Sequence, residues 1–288
     1  MAIGNITTAT DAALIAQKWT KEVELPFYKA LRFQPLITQR GNLVADGGNV
    51  INVPFLSTLN ARSKAAGTAV TYDNNTEASI TINVNKQTYS AVLIEDIAKV
   101  QANYDLQTLY RGAQAEAVAR QVDTDIASLY TGAGNVVSAG ATVTDANVIS
   151  LVTTFDANNV PRSERYGIIG AYTEGDLLNI NKYTAYDQTG KTGTAVDAGT
   201  SDDSLVGRLY GMELHLSNNV VVSAGTPNIG HDLFFHKKAL SIAMQLAPTY
   251  KMEDSVDFIG MKAVLHTIYG VAVERATALI DLQRNTAA

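Results

Sequence analysis

The sequence predicts a mixed α+β protein in which one domain is inserted into another, and three patterns carry this prediction. Residues 50–55 and 79–84 form two short segments, the second of which alternates apolar and polar side chains, and together they predict a strand hairpin. A helical pattern from Asp105 to Tyr130 would extend about 40 Å at about 1.5 Å per residue. Mixed strands end the chain, so helix and sheet are interleaved along it.

The composition describes a globular chain that carries little charge. Of its 288 residues, 46% are hydrophobic and only 17% are charged, whereas roughly 25% are charged in an ordinary domain. A surface with so few charges is suited to contact with partners. The net charge of -6 argues against binding nucleic acid over the whole surface, because phosphate contacts need clustered Lys and Arg. The sequence contains no cysteine, which excludes disulfides, thiol catalysis and thiolate metal sites.

Targeting and membrane signals are also missing from the sequence pattern. The N-terminus shows no basic leader followed by an apolar run, as a signal peptide would. No segment approaches the ~18 consecutive apolar residues of a membrane span. We therefore expect no export by a signal peptide and no membrane contact.

Residues 1–45 predict an N-terminal arm. A short helical pattern around Leu14 to Glu24 is followed by Pro26 and Pro35, which interrupt regular structure. The arm is slightly basic, which is typical of a solvated segment, with a nucleic-acid contact as the less favoured interpretation.

A connection of more than twenty residues joins the two strands of the predicted hairpin. Such a long connection inside a compact domain is unusual and tends to be functional or disordered. Its functional form is a projecting loop that reaches another chain. Polar and aromatic side chains with no core periodicity are the candidate intersubunit contacts: Arg62, Lys64, Tyr72, Asp73 and Glu77.

The long helix is predicted to begin after an N-cap at Asp105. Three glycines in residues 131–141 predict a hinge between two substructures. Asp145 is then the expected cap of a helix that ends before Pro161, because proline disfavours helical geometry in the preceding residue.

The second substructure is predicted to contain two strands separated by a loop. RYGIIGAY, residues 165–172, predicts a buried strand, and the Gly, Thr and Asp of residues 181–206 predict the loop. Met212, Leu214 and Leu216 alternate with polar residues before an Asn pair, which predicts a half-buried strand and a turn. The strands after residue 226 are expected to complete the first substructure.

One segment, Ala185 to Thr192, matches a relaxed phosphate-binding loop with the sequence AYDQTGKT. A working phosphate loop needs a helix that starts at the lysine, so that backbone N–H groups face the phosphates. Alanine replaces the first glycine here, and the residues that follow are poor helix formers. A cytoplasmic nucleotide-binding enzyme that uses this loop stays as an alternative from another functional class.

The titratable residues do not form a recognisable catalytic or metal pattern. The chain has four histidines, at positions 215, 231, 236 and 266, and their spacing fits no metal motif, so we expect structural histidines. Asp123 and Asp125 are separated by about 200° around the helix and cannot form a carboxylate pair. We predict no catalytic, cofactor-binding or metal site, and therefore no cofactor.

The order of these segments resembles the major capsid proteins of tailed bacteriophages, whose shell fold is called HK97-like. The resemblance extends over roughly residues 20–283. The segments that carry it are VINVPFLST, ASITINV, YSAVLIED, VARQVDTDIASLY, NNVPRSERYGIIGAYTEGDLL, GRLYGMELHLSNNV and YGVAVERATALI.

The resemblance implies a division of the chain into four parts. They are an N-terminal arm (1–45), an extended hairpin loop (46–90), a peripheral domain (91–137 and 227–288) with a spine helix at 105–130, and an inserted axial domain (138–226). GIIGAY differs from family members that carry a proline after the comparable strand, which affects the turn at that point.

The resemblance also implies a function. The chain would be a structural, non-enzymatic protein that assembles as pentamers and hexamers into an icosahedral shell enclosing the phage genome. Its expected partners are scaffolding, portal and cement proteins and packaged double-stranded DNA bound without sequence specificity. Its expected location is the virion, after assembly in the host cytoplasm. An encapsulin-like nanocompartment shell is the alternative within the same structural class.

Overall fold

The computed structural model describes residues 33–44, 47–56, 59, 61–72, 78–101, 106–184 and 205–286. Within them the chain is a mixture of helices and strands, which confirms the predicted α+β class. The helical pattern at Leu14 to Glu24, the Asp105 cap and the Ala185 to Thr192 loop lie outside the described residues.

The described helices are α1 (Phe33–Leu36), α2 (Asp96–Gln101), α3 (Leu106–Ala127), α4 (Asp145–Ala157), α5 (Ala171–Leu178) and α6 (Asn181–Thr184). The described strands are β1 (Thr38–Gln39), β2 (Val50–Phe55), β3 (Ala78–Asn83), β4 (Lys86–Glu95), β5 (Asn135–Gly140), β6 (Arg165–Ile169), β7 (Leu205–Leu209), β8 (Met212–Leu216), β9 (Val221–Ser223), β10 (Asn228–His236), β11 (Leu240–Ser255), β12 (Gly260–Val273) and β13 (Leu279–Thr286).

The largest sheet has seven strands in the order β5-β13-β10-β6-β8-β7, with β9 paired to β10. Successive residues of a strand point to opposite faces, so each face of this sheet buries its own core. Phe234 packs with Phe155 of α4 and Leu177 of α5 on one face. Phe235 packs with Ile126 of α3 on the other. The long helix and the two shorter helices therefore cover opposite faces.

A second sheet of four strands has the order β1-β11-β12-β4. Helix α3 lies against it, and the buried side chain of Gln114 connects the two. Its Nε2 donates to the carbonyl oxygens of Ser90, at 3.0 Å, and Ala263, at 3.1 Å. One amide thus fixes the helix to two neighbouring strands, in addition to the apolar contacts.

The predicted hairpin is present: β2 and β3 are antiparallel, with register from Val50 opposite Asn83 to Phe55 opposite Ala78. Ile51, Ile82 and Val84 bury its foot against Ala243 of β11. Gly270 of β12 permits this approach, because a side chain there would collide with the carbonyl oxygen of Asn83.

Two predictions for the segment after the long helix are wrong. Helix α3 ends at Ala127, earlier than the predicted Tyr130, and a 3-10 turn covers Ser128–Gly132. The predicted hinge at residues 131–141 contains strand β5, which pairs in parallel with β13. Glycine at position 134 serves close packing, because an added Cβ would lie 2.6 Å from the carbonyl oxygen of Ala276.

Three smaller boundaries in the second substructure also differ from prediction. Thr144 is the N-cap of α4, and its N–H donates to the Asn147 side chain at 2.9 Å, so Asp145 is already helical. Strand β6 ends at Ile169, and α5 begins two residues later. The predicted loop at 181–206 includes α6 and the start of β7.

The predicted strand at 212–216 and its turn are confirmed as β8 and the residues after it. Tyr210 and Gly211 form the two-residue turn before β8, with φ of 48° and 85°. Both values are positive, as the tight hairpin turns require.

The C-terminal strands divide between the two large sheets. Strands β11 and β12 join the four-stranded sheet as expected, but β10 and β13 lie inside the seven-stranded sheet. They are central strands there, and both of their faces are covered by core residues. Strand β4 crosses the expected boundary between residues 90 and 91. The four-part division of the chain stays a prediction.

Candidate intersubunit surface

The hairpin loop exposes the predicted contact residues that the structure describes. Arg62, Lys64 and Tyr72 are all exposed, and Tyr72 is 86% exposed. Asp73 and Glu77 lie outside the described residues. The large apolar side chains near them are exposed as well, at Leu56, Leu59 and Val70. Exposed apolar side chains that cluster on a projecting segment are typical of a surface that contacts a partner. Their role in subunit contact stays a prediction.

The loop-side end of strand β2 borders an open cleft of about 700 Å³, which sequence patterns did not indicate. Its walls combine apolar residues of β2 with charged residues from the ends of β1, β10 and β12. Arg40 and Glu274 form a two-bond ion pair on one side, with Nη2 to Oε2 at 2.7 Å. Burial would raise the pKa of Glu274, but the bonds from Arg40 outweigh it and hold that pKa below its usual value. The ion pair is therefore present at neutral pH.

The two helix carboxylates have separate partners, as their spacing predicts. Asp123 accepts the N–H of Phe33 at 2.9 Å. Asp125 accepts the Tyr269 hydroxyl at 2.6 Å and lies 3.1 Å from Lys86 Nζ. Burial and the bond to Asp125 raise the pKa of Tyr269. These carboxylates hold α1, β4 and β12 to the long helix.

Two of the histidines have the structural roles that the sequence predicts. His236 Nδ1 accepts the N–H of Lys238 at 3.1 Å and so shapes the turn after β10. His231 lies 2.9 Å from Asp281 through Nδ1 and 3.0 Å from Ser223 Oγ through Nε2.

Ser223, His231 and Asp281 repeat the order of groups in a serine hydrolase triad. The imidazole is stacked on Tyr130 with 3.8 Å between ring centroids, and its side chain is 5% exposed. Little of its surface is left for a substrate. The arrangement joins the edge strand β9 to β10 and β13.

Asp232 is a buried carboxyl group whose pKa differs strongly from its usual value. It accepts the N–H of Gly170 at 2.8 Å and the Thr173 hydroxyl, at the start of α5. Burial raises its pKa to about 7, although both hydrogen bonds oppose the shift. A small cavity of about 160 Å³ adjoins it.

Three other kinds of functional feature are a metal-binding cluster, a membrane-spanning helix and the phosphate-loop match. The described residues contain no group of three or more His, Asp or Glu side chains that could hold a metal ion. None of the described helices has the length and apolar character needed to cross a membrane. The segment Ala185 to Thr192, which matches a relaxed phosphate-binding loop, lies in the part of the chain that is not described.

Comparisons with solved structures gave matches over nearly the whole chain. A chain from Mycobacterium phage Che8 is 22% identical with a TM-score of 0.78, over 93% of this chain and 96% of that chain. A chain from the capsid of cyanophage P-SCSP1u is 19% identical with a TM-score of 0.74, over 96% and 94%. A chain from the cyanophage Pam1 capsid is 13% identical with a TM-score of 0.76, over 100% of both.

Neither a family model nor a curated protein matches this sequence. The structural similarity at these low identities shows the fold, which is the HK97-like shell fold that the sequence predicted. The nanocompartment and nucleotide-binding alternatives gain no support from these matches.

Proposed function

We propose that this chain is a structural major capsid protein that self-assembles into an icosahedral shell around a phage genome. The observation that carries the proposal is the agreement of fold across the whole chain. A chain from the mature capsid of bacteriophage PhiM1 matches over 95% of this chain and 93% of its own length, with a TM-score of 0.77. The two chains share 14% identity. The likeness includes both large sheets.

The surface chemistry supports a protein that works through contacts between copies. A closed shell needs different surfaces on the two sides of each subunit, because its contacts repeat around rings. The projecting hairpin loop offers one such surface, with Arg62, Lys64 and Tyr72 exposed on it. The charged fraction of 17% limits the cost of removing charges from water when contacts form.

The finer features follow from the same proposal. The subunits would form pentamers and hexamers, with the axial part of residues 138–226 at the ring centre and the hairpin loop on a neighbour. Scaffolding, portal and cement proteins are the proposed partners during assembly in the host cytoplasm. The net charge of -6 suits a container that holds DNA by confinement. The proposal includes no enzymatic role.

Sedimentation velocity and negative-stain microscopy of the purified chain test this function. We expect large closed particles, or conversion of subunits to particles as the protein concentration rises. A chain that stays monomeric at every concentration and salt tested would contradict the proposal. Discrete small oligomers with a nucleotide-dependent activity would favour the enzyme alternative.

A further inference from the structure

The cleft beside the loop-side end of β2 is basic on a chain whose net charge is negative. Four basic side chains line it with only two carboxylates: Arg40, Lys237, Lys238, Arg275, Glu164 and Glu274. The apolar part of the wall comes from β2 and the residue after it, including Pro54, Phe55 and Leu56. The cleft thus offers positive charge and apolar surface side by side.

Two of the four cations are already neutralised. Glu274 pairs with Arg40, and Glu164 lies 3.5 Å from Lys237. Among the described residues, no carboxylate pairs with Lys238 or Arg275, and both side chains are exposed. The Arg275 guanidinium lies over the Phe55 ring at 5.1 Å, which fixes the cation against the apolar wall. Arg275 lowers the pKa of its neighbour Glu274 through its charge. Among the described residues, Lys238 is therefore the cleft cation with no carboxylate partner, and Arg275 is a second, partly compensated cation.

The turn between β11 and β12 has the opposite character. Glu253, Asp254 and Asp257 are exposed there. The cation beside them is Lys262, which lies opposite Glu253 in the strand register and over the Phe258 ring at 5.1 Å. Three large apolar side chains are exposed beside them: Val256 at 91%, Phe258 at 53% and Ile259 at 74%. We call residues 253–259 the acidic tip.

The acidic tip has a fixed shape. The N–H of Asp96 donates to the carbonyl oxygen of Ile259 at 3.1 Å, which ties the turn to α2. Ile259 has φ of 42°, a left-handed conformation that non-glycine residues rarely adopt and that only the surrounding structure can impose. A partner that binds this turn would lose little conformational entropy in ordering it.

The acidic tip cannot reach the basic cleft of its own chain. Lys238 and Arg275 flank the start of β11 and the end of β12, whereas the tip lies at the far end of the same hairpin. Strand β11 has 16 residues, which corresponds to a length of about 50 Å at about 3.3 Å per residue. Only a second chain can bring the two surfaces together.

We infer that the acidic tip of one copy of this chain docks in the basic cleft of another copy. The inference rests on the proposed function, because it assigns one of the contacts by which subunits form a shell. Asp254 and Asp257 face Lys238 and Arg275 in this contact, and Phe258 packs on the Phe55 wall. The contact is heterologous, since each subunit gives its tip and receives at its cleft, so it can repeat from copy to copy.

The sizes and charges of the two surfaces agree with this contact. The cleft volume of about 700 Å³ lies within the roughly 300–1,000 Å³ that encloses a drug-sized molecule, which is comparable to the side chains of one turn. Opposite charges favour the right partner and penalise a wrong one, because like charges at an interface repel strongly. A weak single contact is sufficient, since many act together in a closed particle.

A charge-exchange experiment tests the inference. Lys238→Glu with Arg275→Glu reverses the cleft, and Asp254→Lys with Asp257→Lys reverses the tip. We expect each double variant alone to need at least about tenfold more protein to assemble, because like charges then meet. The variant with all four changes restores opposite charges and should assemble nearly as the unchanged chain does. An equal mixture of the two double variants should also co-assemble, since each cleft then finds an opposite tip.

The matched control exchanges a remote pair within one chain, Arg208→Glu with Glu213→Arg, whose side chains bond each other across β7 and β8. It should assemble like the unchanged chain. Thermal unfolding of every variant separates loss of contact from loss of folding, and Lys238→Glu alone serves where Arg275→Glu reduces stability.

Five outcomes decide between the claims. Rescue by the four-change variant supports the inference. Loss of assembly in both double variants without rescue overturns it, as does unchanged assembly in both. Loss in the cleft variant alone, with inorganic phosphate stabilising only the unchanged chain, would also overturn it in favour of a small anion as occupant. If the unchanged chain forms no particles, the proposed function itself fails.

Discussion

His231 Nδ1 lies 2.9 Å from Asp281 Oδ2, and this buried bond connects β10 to β13 at the centre of the seven-stranded sheet. Both side chains are at most 5% exposed. Since Ser223 bonds the other ring nitrogen, one imidazole connects three strands. A chemical arrangement known from enzymes is used here to hold a sheet together.

Removal of the His231 imidazole should lower the stability of the subunit and should abolish no catalytic activity. We expect His231→Ala to lower the free energy of unfolding by about 2–3 kcal/mol, because the buried carboxylate of Asp281 loses one of its two side-chain partners and keeps only Gln283. His266→Ala is the control, since His266 is only partly buried, and should change stability by less than about 1 kcal/mol. Denaturant unfolding measures both. Rapid labelling of Ser223 by a fluorophosphonate would contradict the structural role.

Asp232 should make the stability depend on pH in a direction opposite to that of carboxylates held in ion pairs, because burial raises its pKa and an opposite charge would lower it. Its pKa is about 7 in the folded chain, compared with about 3.9 when unfolded. Between these values the folded state binds the extra proton, so this group's contribution decreases as pH rises from about 4 to about 7 and then stays constant.

Asp232→Asn removes this effect, because the amide carries no charge. Its oxygen can still accept the Gly170 N–H, and its NH2 group can donate to the Thr173 hydroxyl oxygen once that hydroxyl turns its own proton away. The variant should match the unchanged chain near pH 4 and be more stable at pH 8, by at most about 4 kcal/mol. Unfolding measured at both pH values tests the difference, in which the contributions of other carboxylates cancel. A stability difference that does not change with pH would show that Asp232 is ionised throughout.

Gly270 and Gly112 should respond in opposite ways to alanine. Gly270→Ala places a Cβ against the carbonyl oxygen of Asn83, so the hairpin foot must move and stability should fall by about 1–3 kcal/mol. Gly112 lies in α3 with nothing within 4 Å of an added Cβ, so Gly112→Ala should stabilise by up to about 1 kcal/mol. Thermal unfolding compares them. Equal effects would mean that the hairpin does not pack on β12 as described.

Lys191→Ala tests the nucleotide alternative. We expect unchanged folding and assembly, because the residues after Lys191 are poor helix formers and a phosphate loop requires a helix there. Calorimetric titration with ATP should detect no binding to the unchanged chain. Binding that disappears in the variant would revive the enzyme alternative.

Replacement of Leu59 to Thr76 by Asn-Gly should leave a folded subunit that does not close shells. Strands β2 and β3 already pair along their length, and a two-residue turn can join them. Circular dichroism should show normal folding, while microscopy should show no closed particles. Wholesale unfolding would place the loop in the core, and normal particles would remove its role in contact.

The sequence allowed the local elements to be predicted where one pattern dominated. Ile80 and Ile82 alternate with polar residues, and β3 follows that period. The prediction failed where glycine can indicate either a flexible hinge or close packing against another backbone. The glycines near β5 indicated a hinge, but Gly134 is small because another backbone approaches it.

Local sequence patterns could not predict the two surfaces of the inferred contact, the basic cleft and the acidic tip. Lys238 and Arg275 are far apart in sequence and meet only because β11 and β12 pair along their length. Strand pairing of this kind depends on contacts distant in the chain, which periodicity does not encode. The run FHKK at the end of β10 was the only local signal, and it reads equally well as a solvated turn.

Cryo-electron microscopy of particles assembled from the purified chain tests the central claim most directly. The account predicts a closed icosahedral shell built of five- and six-membered rings, with residues 59–76 of each subunit lying on a neighbouring subunit. A chain that forms no closed particle under any assembly condition, or a shell in which this loop folds back on its own subunit, would contradict it.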